Sequence, residues 1–408
     1  MFMNQLPTLS TSRRRALVTI GAAALVPLSS SLWAQASAAW SGIESKARGQ
    51  TVYFNAWAGS ERINAYLQWA AAEVQRIYGL KLEHVKIADT AEVVKRVRGE
   101  KAAGKADGTV DLVWINGENF LAMKRESLLF GPFAESLPNF VYVDVVGKPT
   151  TRIDFSEPVE GLEAPWGMAQ LTFFADRKRV PSPPRSMAAM LEFARANPGR
   201  LTYPRPPNFH GTTFVKQALV ELSPDRSPLY KSFTPQALVA AAAALWSYLD
   251  ALHPQLWRAG KQFPQNAGAV RQMMSDGELL IGLTFNPNEA ANEIAAKRLA
   301  DSVYSYQLAG GTIGNTHFLG IPFNASAKEG AQVLANFLLS PVAQARKADI
   351  AQWGDPTVLA LDKLPAGERS RFSSAPLPGQ VEQTMPTIPE PHGSWVDPLE
   401  KEWLRRYG

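Results

Sequence analysis

The chain has 408 residues, of which 46% are hydrophobic and 19% charged, with 30 Pro, 29 Gly and no Cys. This composition is typical of globular proteins and excludes a mainly disordered or collagen-like chain. One hydrophobic core seldom serves so many residues, so two domains are expected. The lack of Cys excludes disulfides, thiolate zinc sites, cysteine nucleophiles and a lipid-modified cysteine. The formal charge of +5 would suit a nucleic-acid or membrane binder if it lay on the folded domains.

The first 36 residues hold much of that charge. The arginine run 13–15 is followed by the apolar run Ala16–Leu28 and by the small residues of Ala34-Gln35-Ala36. This order predicts a secretory signal peptide at 1–36, with an apolar run too short to span a membrane. The stretch Ser12–Leu17 resembles the twin-arginine export motif, but Ala16 replaces the usual Phe, so the ordinary secretory route stays open. An N-terminal amphipathic helix or a disordered tail is the alternative.

Removal of the signal peptide weakens the case for a basic binding surface. The remaining chain has 39 basic and 37 acidic residues, a net charge of +2. It contains no further stretch of 18 apolar residues. We therefore expect an exported, soluble protein that is free in the periplasm, has no lipid anchor and binds no nucleic acid.

The first part of the mature chain alternates strands and helices. Strands are predicted at 51–57, 80–87 and 110–115, with helices that begin near Ser60 and Asp89, and a third helix follows 116–119. Strands alternating with helices predict a parallel, doubly wound α/β unit. Its ligand-facing loops follow the carboxyl ends of the strands.

After an irregular stretch rich in Pro and Gly at 128–165, the alternation restarts. The predicted strands are 168–175, 201–203, 279–285 and 303–308. The predicted helices are 187–196, 214–222, 235–250, one from Glu289 to Leu299, and 328–350. A glycine-rich loop is predicted at 310–317, and a Pro-rich tail at 365–398 is expected to wrap the surface.

No sequence pattern indicates catalysis or metal binding. The five His residues are not at helical ligand spacing, and no phosphate-binding glycine loop with its Lys occurs. Gly311-x-x-Gly314 is too short for a dinucleotide fingerprint, and no Ser lies in a nucleophile elbow. A catalytic triad assembled only in space remains open. We predict no catalytic residue, no cofactor and no metal site.

Four polar loops each end a strand and begin a helix. They lie at 55–61, 116–119, 208–213 and 286–289 and combine amide side chains with Gly or Pro. Free N–H groups at helix N-termini bind acceptors, and Asn or Glu side chains orient a ligand without making or breaking bonds. Converging polar loops with aromatic residues nearby predict a cleft for a small molecule.

The order of several segments resembles the extracellular solute-binding proteins of ABC importers. These segments are VYFNAWAGS from Val52, VDLVWING from Val110, APWG from Ala164, LTYPRPPNFHGT from Leu201, GELLIG from Gly277 and LGIP from Leu319. The similarity covers nearly the whole mature chain and depends on their order and spacing. The nearest branch includes thiamine-, polyamine- and iron-binding members and a YnjB-like subfamily.

The resemblance implies an α/β, two-lobed periplasmic-binding-protein fold of type II, with a doubly wound sheet in each lobe and a hinge between them. Lobe one is expected at 41–166 plus 284–312, and lobe two at 167–283 plus 313–408. The family implies a monomer that closes on a small-molecule ligand and delivers it to ABC permease subunits. An exported enzyme with the same cleft, and a binding protein that serves a sensor or chemoreceptor, are the alternatives.

The candidate ligand-binding residues lie in the four polar loops, at the crossover and in the predicted strand 201–203. They are Asn55, Trp57, Ser60, Glu61, Asn116, Glu118, Trp166, Tyr203, Asn208, His210, Gly211, Thr212, Thr213, Asn286 and Glu289. Structural roles are open for several of them. Ser60 would cap a helix, and Glu118 would favour a helix dipole. Trp57 and Trp166 would pack in the interior, and His210 would be an ordinary loop histidine.

The ligand class follows from the same residues. No Tyr-Tyr pair occurs, which argues against ferric iron. The three candidate glutamates and two candidate tryptophans suit an organic cation through charge and cation–π contact. Thr212-Thr213 and Ser60, at helix starts, suit phosphate or sulfonate instead. The balance favours a thiamine-like or other nitrogenous organic ligand.

Overall fold

The computed structural model of the protein describes residues 28–373 and 376–408. The predicted signal peptide falls mainly outside this part, and its last residues belong to the helix Leu28–Ala47. No helix within the described ranges is long and apolar enough to cross a membrane. Contact between residues far apart in the chain is described below for residues 42–408.

Thirteen α-helices are described along the chain. They are α1 Leu28–Ala47, α2 Glu61–Tyr78, α3 Thr90–Ala102, α4 Gly117–Arg125, α5 Met187–Ala196, α6 Phe209–Leu222, α7 Pro235–Leu252, α8 Ala267–Ser275, α9 Glu289–Ala295, α10 Lys328–Leu338, α11 Pro341–Ala348, α12 Ala366–Arg369 and α13 Val396–Tyr407. Short 3₁₀ turns join several of these helices.

Eleven strands are described in the same ranges. They are β1 Thr51–Trp57, β2 Lys81–Ile87, β3 Leu112–Ile115, β4 Ile153–Asp154, β5 Glu157–Pro158, β6 Glu163–Gln170, β7 Thr172–Asp176, β8 Ile281–Thr284, β9 Val303–Tyr306, β10 Thr312–Gly320 and β11 Thr387–Ile388. β4 and β5 form a short antiparallel hairpin.

The larger sheet has the strand order β11-β10-β3-β1-β2, with β6 also paired to β10. β1 is parallel to both β2 and β3, which confirms the βαβαβ unit predicted from the alternation of strands and helices. β10 runs antiparallel to β3 and β6. The polar loops after β1 and β3 therefore lie at one edge of the same sheet.

The smaller sheet has three strands, with β7 between β8 and β9 and both pairings antiparallel. Helices α5, α6, α7 and α13 pack against it around one large hydrophobic core, which includes Phe173, Tyr203 and Trp403. A separate core lies under α3 and α4 beside the larger sheet.

Two short segments carry the chain between the sheets. The strand predicted at 168–175 is two strands, because β6 ends at Gln170 in the larger sheet and β7 begins at Thr172 in the smaller one. Leu171 between them donates its N–H to Ile313 O over 2.8 Å. The second crossing, from β9 to β10, runs beside it. Two adjacent crossings of this kind can act as a hinge between the parts of a protein that they join.

Local chemistry explains how α2 begins and ends. Ile63, Leu67 and Val74 recur at helical spacing and are at most 5% exposed. Gly79 ends the helix at φ 63°, a left-handed conformation that glycine adopts at little cost. Asp89 begins α3 by accepting a hydrogen bond from Ala91 N.

Several predicted elements are wrong. Residues 201–203 are extended but pair with no strand, and α6 begins at Phe209 instead of 214. The predicted glycine-rich loop 310–317 is mostly β10, every residue of which is buried. Gly314 fits there because a Cβ would lie 2.8 Å from Ala169 O. The Pro-rich tail does not simply wrap the surface, since Glu390 and Trp395 are buried.

Candidate ligand-binding site

The start of α4 lies against the β4–β5 hairpin. Asn116 occupies the N-cap position without a side-chain capping bond, and Gly117 N donates to Asp154 Oδ2 over 2.5 Å. Gly117 has φ 63°, and a Cβ there would lie 2.8 Å from the ring of Phe155, so only glycine fits well. Glu118, in the first turn of α4, is thereby held beside Asp154.

Lys216 on α6 faces a carboxylate and two rings. Its Nζ is 2.7 Å from Glu390 Oε2, and both side chains are at most 2% exposed. The same Nζ lies 4.3 Å from the ring centre of Phe155 and 5.7 Å from that of Phe209. Glu390 Oε1 accepts a hydrogen bond of 3.1 Å from Asn315 Nδ2, on β10. Helix α6, strand β10 and the C-terminal tail therefore meet at Lys216.

Four acidic side chains interact with this ammonium group. Glu390 is in direct contact with it, and the ammonium charge acts to lower the pKa of the other three. We call Glu118, Asp154, Glu390 and Glu400, together with Lys216, the carboxyl cluster. Burial raises the pKa of Glu118, and the charge of Lys216 opposes that rise. Burial also raises the pKa of Asp154 well above its usual value, opposed by the Gly117 N–H and reinforced by Glu118 and Glu390.

The fourth carboxyl group of the cluster is Glu400 on α13. Burial raises its pKa to about 7, and the hydrogen bond from Thr212 lowers it again in part. Thr212 Oγ1 donates that bond to Glu400 Oε1 over 2.6 Å. The charge of Glu118 raises the pKa of Glu400 further. The cluster therefore contains four carboxyl groups but only one ammonium group.

The rest of the candidate segment 203–213 supports the start of α6. Asn208 Oδ1 accepts a bond of 3.1 Å from His210 N, and Thr213 Oγ1 donates to the carbonyl of Phe209 over 2.8 Å. A Cβ on Gly211 would overlap the carbonyl oxygen of Pro204, so the close approach at Gly211 is to the protein's own backbone. Burial lowers the pKa of His210 to about 4, which favours the neutral imidazole at pH 7.

Tyr203 lies in the core beside the smaller sheet. Its side chain is fully buried, and its ring stacks on Phe214 with 4.4 Å between ring centres. Trp403 Nε1 donates to Tyr203 Oη over 2.8 Å, and that oxygen is 2.7 Å from His253 Nε2. Both hydrogen-bonding functions of the hydroxyl are thus used within the core.

Four candidates with different surroundings lie between the end of β1 and the start of α2, two of them within β1 itself. Asn55 is fully buried, and its Oδ1 accepts a bond of 3.4 Å from Arg96. Trp57 is 38% exposed, and a Cβ on Gly59 would overlap its indole. Ser60 is the N-cap of α2 but makes no side-chain capping bond. Glu61 is exposed, with its Oε2 3.9 Å from Arg298.

Trp166 is fully buried within a group of aromatic rings. Its ring centre is 4.8 Å from that of Trp114 and 5.5 Å from that of Trp353. Lys347, bonded to Asp355, lies with its Nζ 5.5 Å from the ring centre of Trp353. Trp166 is therefore a packing residue in this conformation.

The loop after β8 reaches the segment that follows α11. Asn286 Nδ2 donates to Trp353 O over 3.4 Å, and Asn286 Oδ1 accepts from Asn288 N. Glu289 pairs with Arg271 over 2.6 Å and accepts a bond from Thr284 Oγ1. Glu289 thus has partners on its own side of the protein.

Of the 15 candidates, Glu118 and Thr212 reach the carboxyl cluster directly. Asp154, Lys216, Glu390, Glu400 and Asn315 were not among the candidates. One signal was available, because Lys216 follows Thr212 by one helical turn. Asp154 and Glu390 lie in Pro-rich stretches whose irregular sequence gives no pattern that would point to a site.

The site does not have the form of a metal centre. No group of three or more His, Cys, Asp or Glu residues in the described ranges is arranged to hold a metal ion. A buried set of acidic side chains with a hydrogen-bonding amide can instead orient a small organic molecule.

Comparison with known proteins identifies the family. Residues 69–360 match the family described as bacterial extracellular solute-binding protein. The chain belongs to this family. It is also 49% identical over 370 residues to Protein YnjB of Escherichia coli (strain K12), which covers 90% of this chain and 94% of that protein. The resemblance inferred from the sequence is confirmed, including its YnjB-like branch.

Solved structures show the same fold at low sequence identity. The periplasmic binding protein AfuA from Actinobacillus pleuropneumoniae superposes with a TM-score of 0.62 at 14% identity, covering 88% of this chain and 98% of that one. PotD from Streptococcus pneumoniae superposes with a TM-score of 0.57 at 12% identity, covering 87% and 98%. The α/β fold of type II periplasmic binding proteins, expected from the resemblance, is confirmed.

In this solute-binding protein, the carboxyl cluster draws on elements of both sheets. Glu118 follows β3 of the larger sheet, and Asn315 lies on β10 of that sheet. Lys216 and Glu400 lie on α6 and α13, which pack on the smaller sheet. Residues from both sheets thus meet around one buried group of charges.

Proposed function

We propose that this protein is the substrate-binding subunit of an ABC importer and that it captures a small organic cation for delivery to the membrane permease. The carboxyl cluster carries this proposal, because it combines four carboxyl groups with one ammonium and draws on elements of both sheets. Membership of the solute-binding family supports the transport role. The structural relative PotD is described as a spermidine/putrescine ABC transporter substrate-binding protein.

Two lobes close on the ligand in this proposal. One is built on the larger sheet from residues 42–169 and 314–360, and the other on the smaller sheet from residues 172–311 and 390–408. This division differs from the one expected from the sequence, which placed 284–312 in lobe one and 313–408 in lobe two. Residues 284–311 join the smaller sheet because β9 pairs with β7, and 314–360 join the larger sheet because β10 pairs with β3. The crossings at Leu171 and near Gly311 serve as the hinge. Closure also presents a combined surface to the permease, with the binding protein acting as a monomer.

The charge of the cluster favours a cationic solute. Burying a carboxylate costs free energy unless it is paired with a cation, and Lys216 already pairs with Glu390. Burial raises the pKa of Glu118, Asp154 and Glu400, which favours their protonated forms. A ligand cation favours their ionised forms by pairing with them. A phosphate or sulfonate would meet like charge instead. Binding without chemistry follows from the same arrangement, because the acidic groups need only orient and neutralise the ligand.

The experiment is a thermal-shift screen of metabolites on the protein stripped of bound ligand. A ligand that binds only the folded state raises the melting temperature. We expect nitrogenous organic cations to raise it more than phosphorylated or sulfonated solutes of similar size, and thiamine is one of the cations screened. Glu192→Gln, at an exposed position, is the charge-matched control for Glu118→Gln, and only the latter should reduce the shift. A preference for anions would contradict the proposed ligand class.

Scattering and turnover assays test the rest of this proposal. The best ligand should make the protein more compact in solution, since closure brings the lobes together. Chemical conversion of that ligand, lost in Glu118→Gln, would favour an exported enzyme. A sensor or chemoreceptor role would follow if the protein binds the ligand but a strain lacking it still imports the ligand normally.

The proposed location is the periplasm, reached through the N-terminal signal and without a lipid anchor. Replacing both Arg13 and Arg14 with Lys should leave the precursor in the cytoplasm if the twin-arginine route is used. Processing that continues unchanged would assign export to the ordinary secretory route. Cell fractionation with antibody detection measures both outcomes.

A further inference from the structure

We propose that the carboxyl cluster selects cations that carry N–H groups on the charged centre, such as protonated amines, amidines or guanidines. Quaternary ammonium and thiazolium centres, which lack such N–H groups, are selected against. This inference rests on the proposed function, because it specifies the ligand class of that same site.

Two buried oxygens at the cluster have neither a hydrogen bond nor an ion pair within the described protein. They are Oδ1 of Asp154 and Oδ1 of Asn315. The two side chains are only 1% and 4% exposed, respectively. Glu390 Oε2 also lacks a hydrogen bond but lies 2.7 Å from Lys216 Nζ. Both carboxyl oxygens of buried Glu163, whose pKa is raised by burial and by the charge of Asp154, have no hydrogen-bond partner either. Buried polar atoms in folded proteins are nearly always hydrogen-bonded, so each such atom calls for a specific explanation.

The orientation of both side chains is fixed by their other polar atom. Asp154 Oδ2 accepts the hydrogen bond from Gly117 N, which leaves Oδ1 as the unpaired oxygen. Asn315 Nδ2 donates to the carboxylate of Glu390, so its Oδ1 points elsewhere. A flip of this amide would set two oxygens against each other, so the assigned orientation is the favourable one. Asn315 Oδ1 is therefore an acceptor. Burial favours the protonated form of Asp154, with the proton on Oδ1. A cation bound beside this carboxyl group favours the ionised form, in which Oδ1 is also an acceptor.

A cation with N–H groups satisfies both atoms, because its charge favours ionised Asp154 and its N–H groups donate to the two oxygens. A primary ammonium offers three N–H groups and a guanidinium five. A trimethylammonium presents methyl groups and leaves both oxygens unpaired in a buried position. An unpaired buried polar atom carries a desolvation cost that a neutral contact does not repay.

The aromatic rings at the cluster point to the same selectivity. Proteins that recognise quaternary ammonium ions commonly place them against several aromatic faces. Here the rings of Phe155 and Phe209 lie 4.3 and 5.7 Å from the Nζ of Lys216, which is itself the cation over those faces. The carboxyl and amide oxygens of the cluster therefore remain available for contact with a ligand cation.

The experiment compares matched cation pairs on the protein expressed from its complete sequence and stripped of bound ligand. The pairs are ethanolamine with choline, and 1,4-diaminobutane with its fully N-methylated bis-quaternary form. Agmatine and thiamine are added, and calorimetry measures each dissociation constant. We expect the N–H member of a pair to bind at least about tenfold more tightly, the usual scale for a lost hydrogen bond to a charged group.

Asp154→Asn tests the role of the unpaired oxygen. The new amide oxygen still accepts from Gly117 N, while its NH₂ group replaces an acceptor with a donor. The affinity for the N–H cation should fall by at least about tenfold. Asn315→Leu should reduce the ratio between the paired ligands, and Glu192→Gln should leave it unchanged. The ratio of affinities within each ligand pair is measured on the wild-type protein, so this part of the test does not depend on whether a variant folds.

Each outcome has a separate meaning. Equal affinity within the matched pairs, or tighter binding of the quaternary member, overturns this inference but leaves a cation-binding importer subunit intact. Binding of anions with no response to any cation contradicts the proposed ligand class itself. Unchanged amine affinity in Asp154→Asn overturns the assignment of Asp154 as a ligand contact.

Discussion

Nζ of Lys216 and Oε2 of Glu390 lie 2.7 Å apart, and both side chains are almost completely buried. The pair joins α6 to a tail segment more than 170 residues later in the chain. Breaking a buried pair by removing one partner leaves an uncompensated charge, whereas replacing both partners often costs little. The two kinds of variant therefore separate the cost of a lone charge from the value of the pair.

Lys216→Met should destabilise the protein by about 3–5 kcal/mol, because Glu390 then remains charged and buried. The double variant Lys216→Met with Glu390→Leu should recover much of this loss. Denaturant unfolding followed by circular dichroism gives both free energies. The control is Lys401→Met, whose pair with Asp397 is exposed and worth little. Equal costs for Lys216→Met and Lys401→Met would show that burial of the pair is unimportant.

Glu400 should make stability depend on pH. Its pKa in the folded protein is about 7, above the ordinary value of 4.5, so the folded state binds more protons between these two values. Stability should therefore fall as pH rises from about 4.5 to 7, by at most about 3 kcal/mol from this group. Glu400→Gln should flatten that dependence, and Glu192→Gln should not. A parallel decline in both variants would assign the effect to other groups.

The parallel half of the larger sheet could be predicted from the sequence because its signals are local. Apolar residues at helical spacing, Gly79 and the N-cap Asp89 each act within a few residues. Strand β10 could not be predicted in this way. Gly311, just before this strand, and Gly314, within it, are typical of a loop, but here their small size lets neighbouring strands and the tail approach closely.

The candidate site shows the same limit. Glu118 could be proposed because it follows a recognisable strand at a helix start. Asp154, Glu390 and Glu400 reach the cluster from distant, partly irregular segments, and nothing near them in the sequence marks them as a group. The excess of carboxyl groups over ammonium groups at the cluster arises from the tertiary structure, and local sequence patterns do not reveal it.

Gly167 should be sensitive to the addition of a single methyl group. A Cβ there would overlap Asp355 Oδ2 and His317 Nε2 and lie 2.7 Å from Lys347 Nζ. These three side chains are buried and bonded to one another, so they cannot move aside easily. Gly167→Ala should cost about 2–3 kcal/mol, as expected for overpacking.

Thermal and urea unfolding measure the cost at Gly167. Gly310→Ala is the control, because a Cβ at that position has open space around it, and it should change stability by no more than about 0.5 kcal/mol. If Gly167→Ala is as stable as Gly310→Ala, the group around Asp355 must be able to rearrange without loss.

The segment after α11 connects the surroundings of Asp355 to α9. Asn292 Nδ2 donates to Trp353 O over 2.7 Å, and Asn288 Nδ2 donates to Gly354 O over 2.6 Å. Arg62 on α2 also donates to Asn292 O over 3.1 Å. In the proposed two-lobe arrangement these bonds run from one lobe to the other, so we expect them to favour a closed conformation.

Asn288→Ala should shift the protein towards an open conformation and weaken ligand binding about fivefold, because the bond to Gly354 O that joins the two lobes is lost. The longer bond of 3.4 Å that Asn288 Oδ1 accepts from Gln380 Nε2 is lost with it. Asn288 makes no side-chain cap for α9, so helix stability should change little. Calorimetry gives the affinity, and scattering gives the radius of gyration with saturating ligand. Asn197→Ala is the control, since Asn197 Nδ2 bonds only within its own helix end, to Phe193 O. A loss of affinity without any change in compactness would mean that Asn288 acts on the ligand site directly and not through closure.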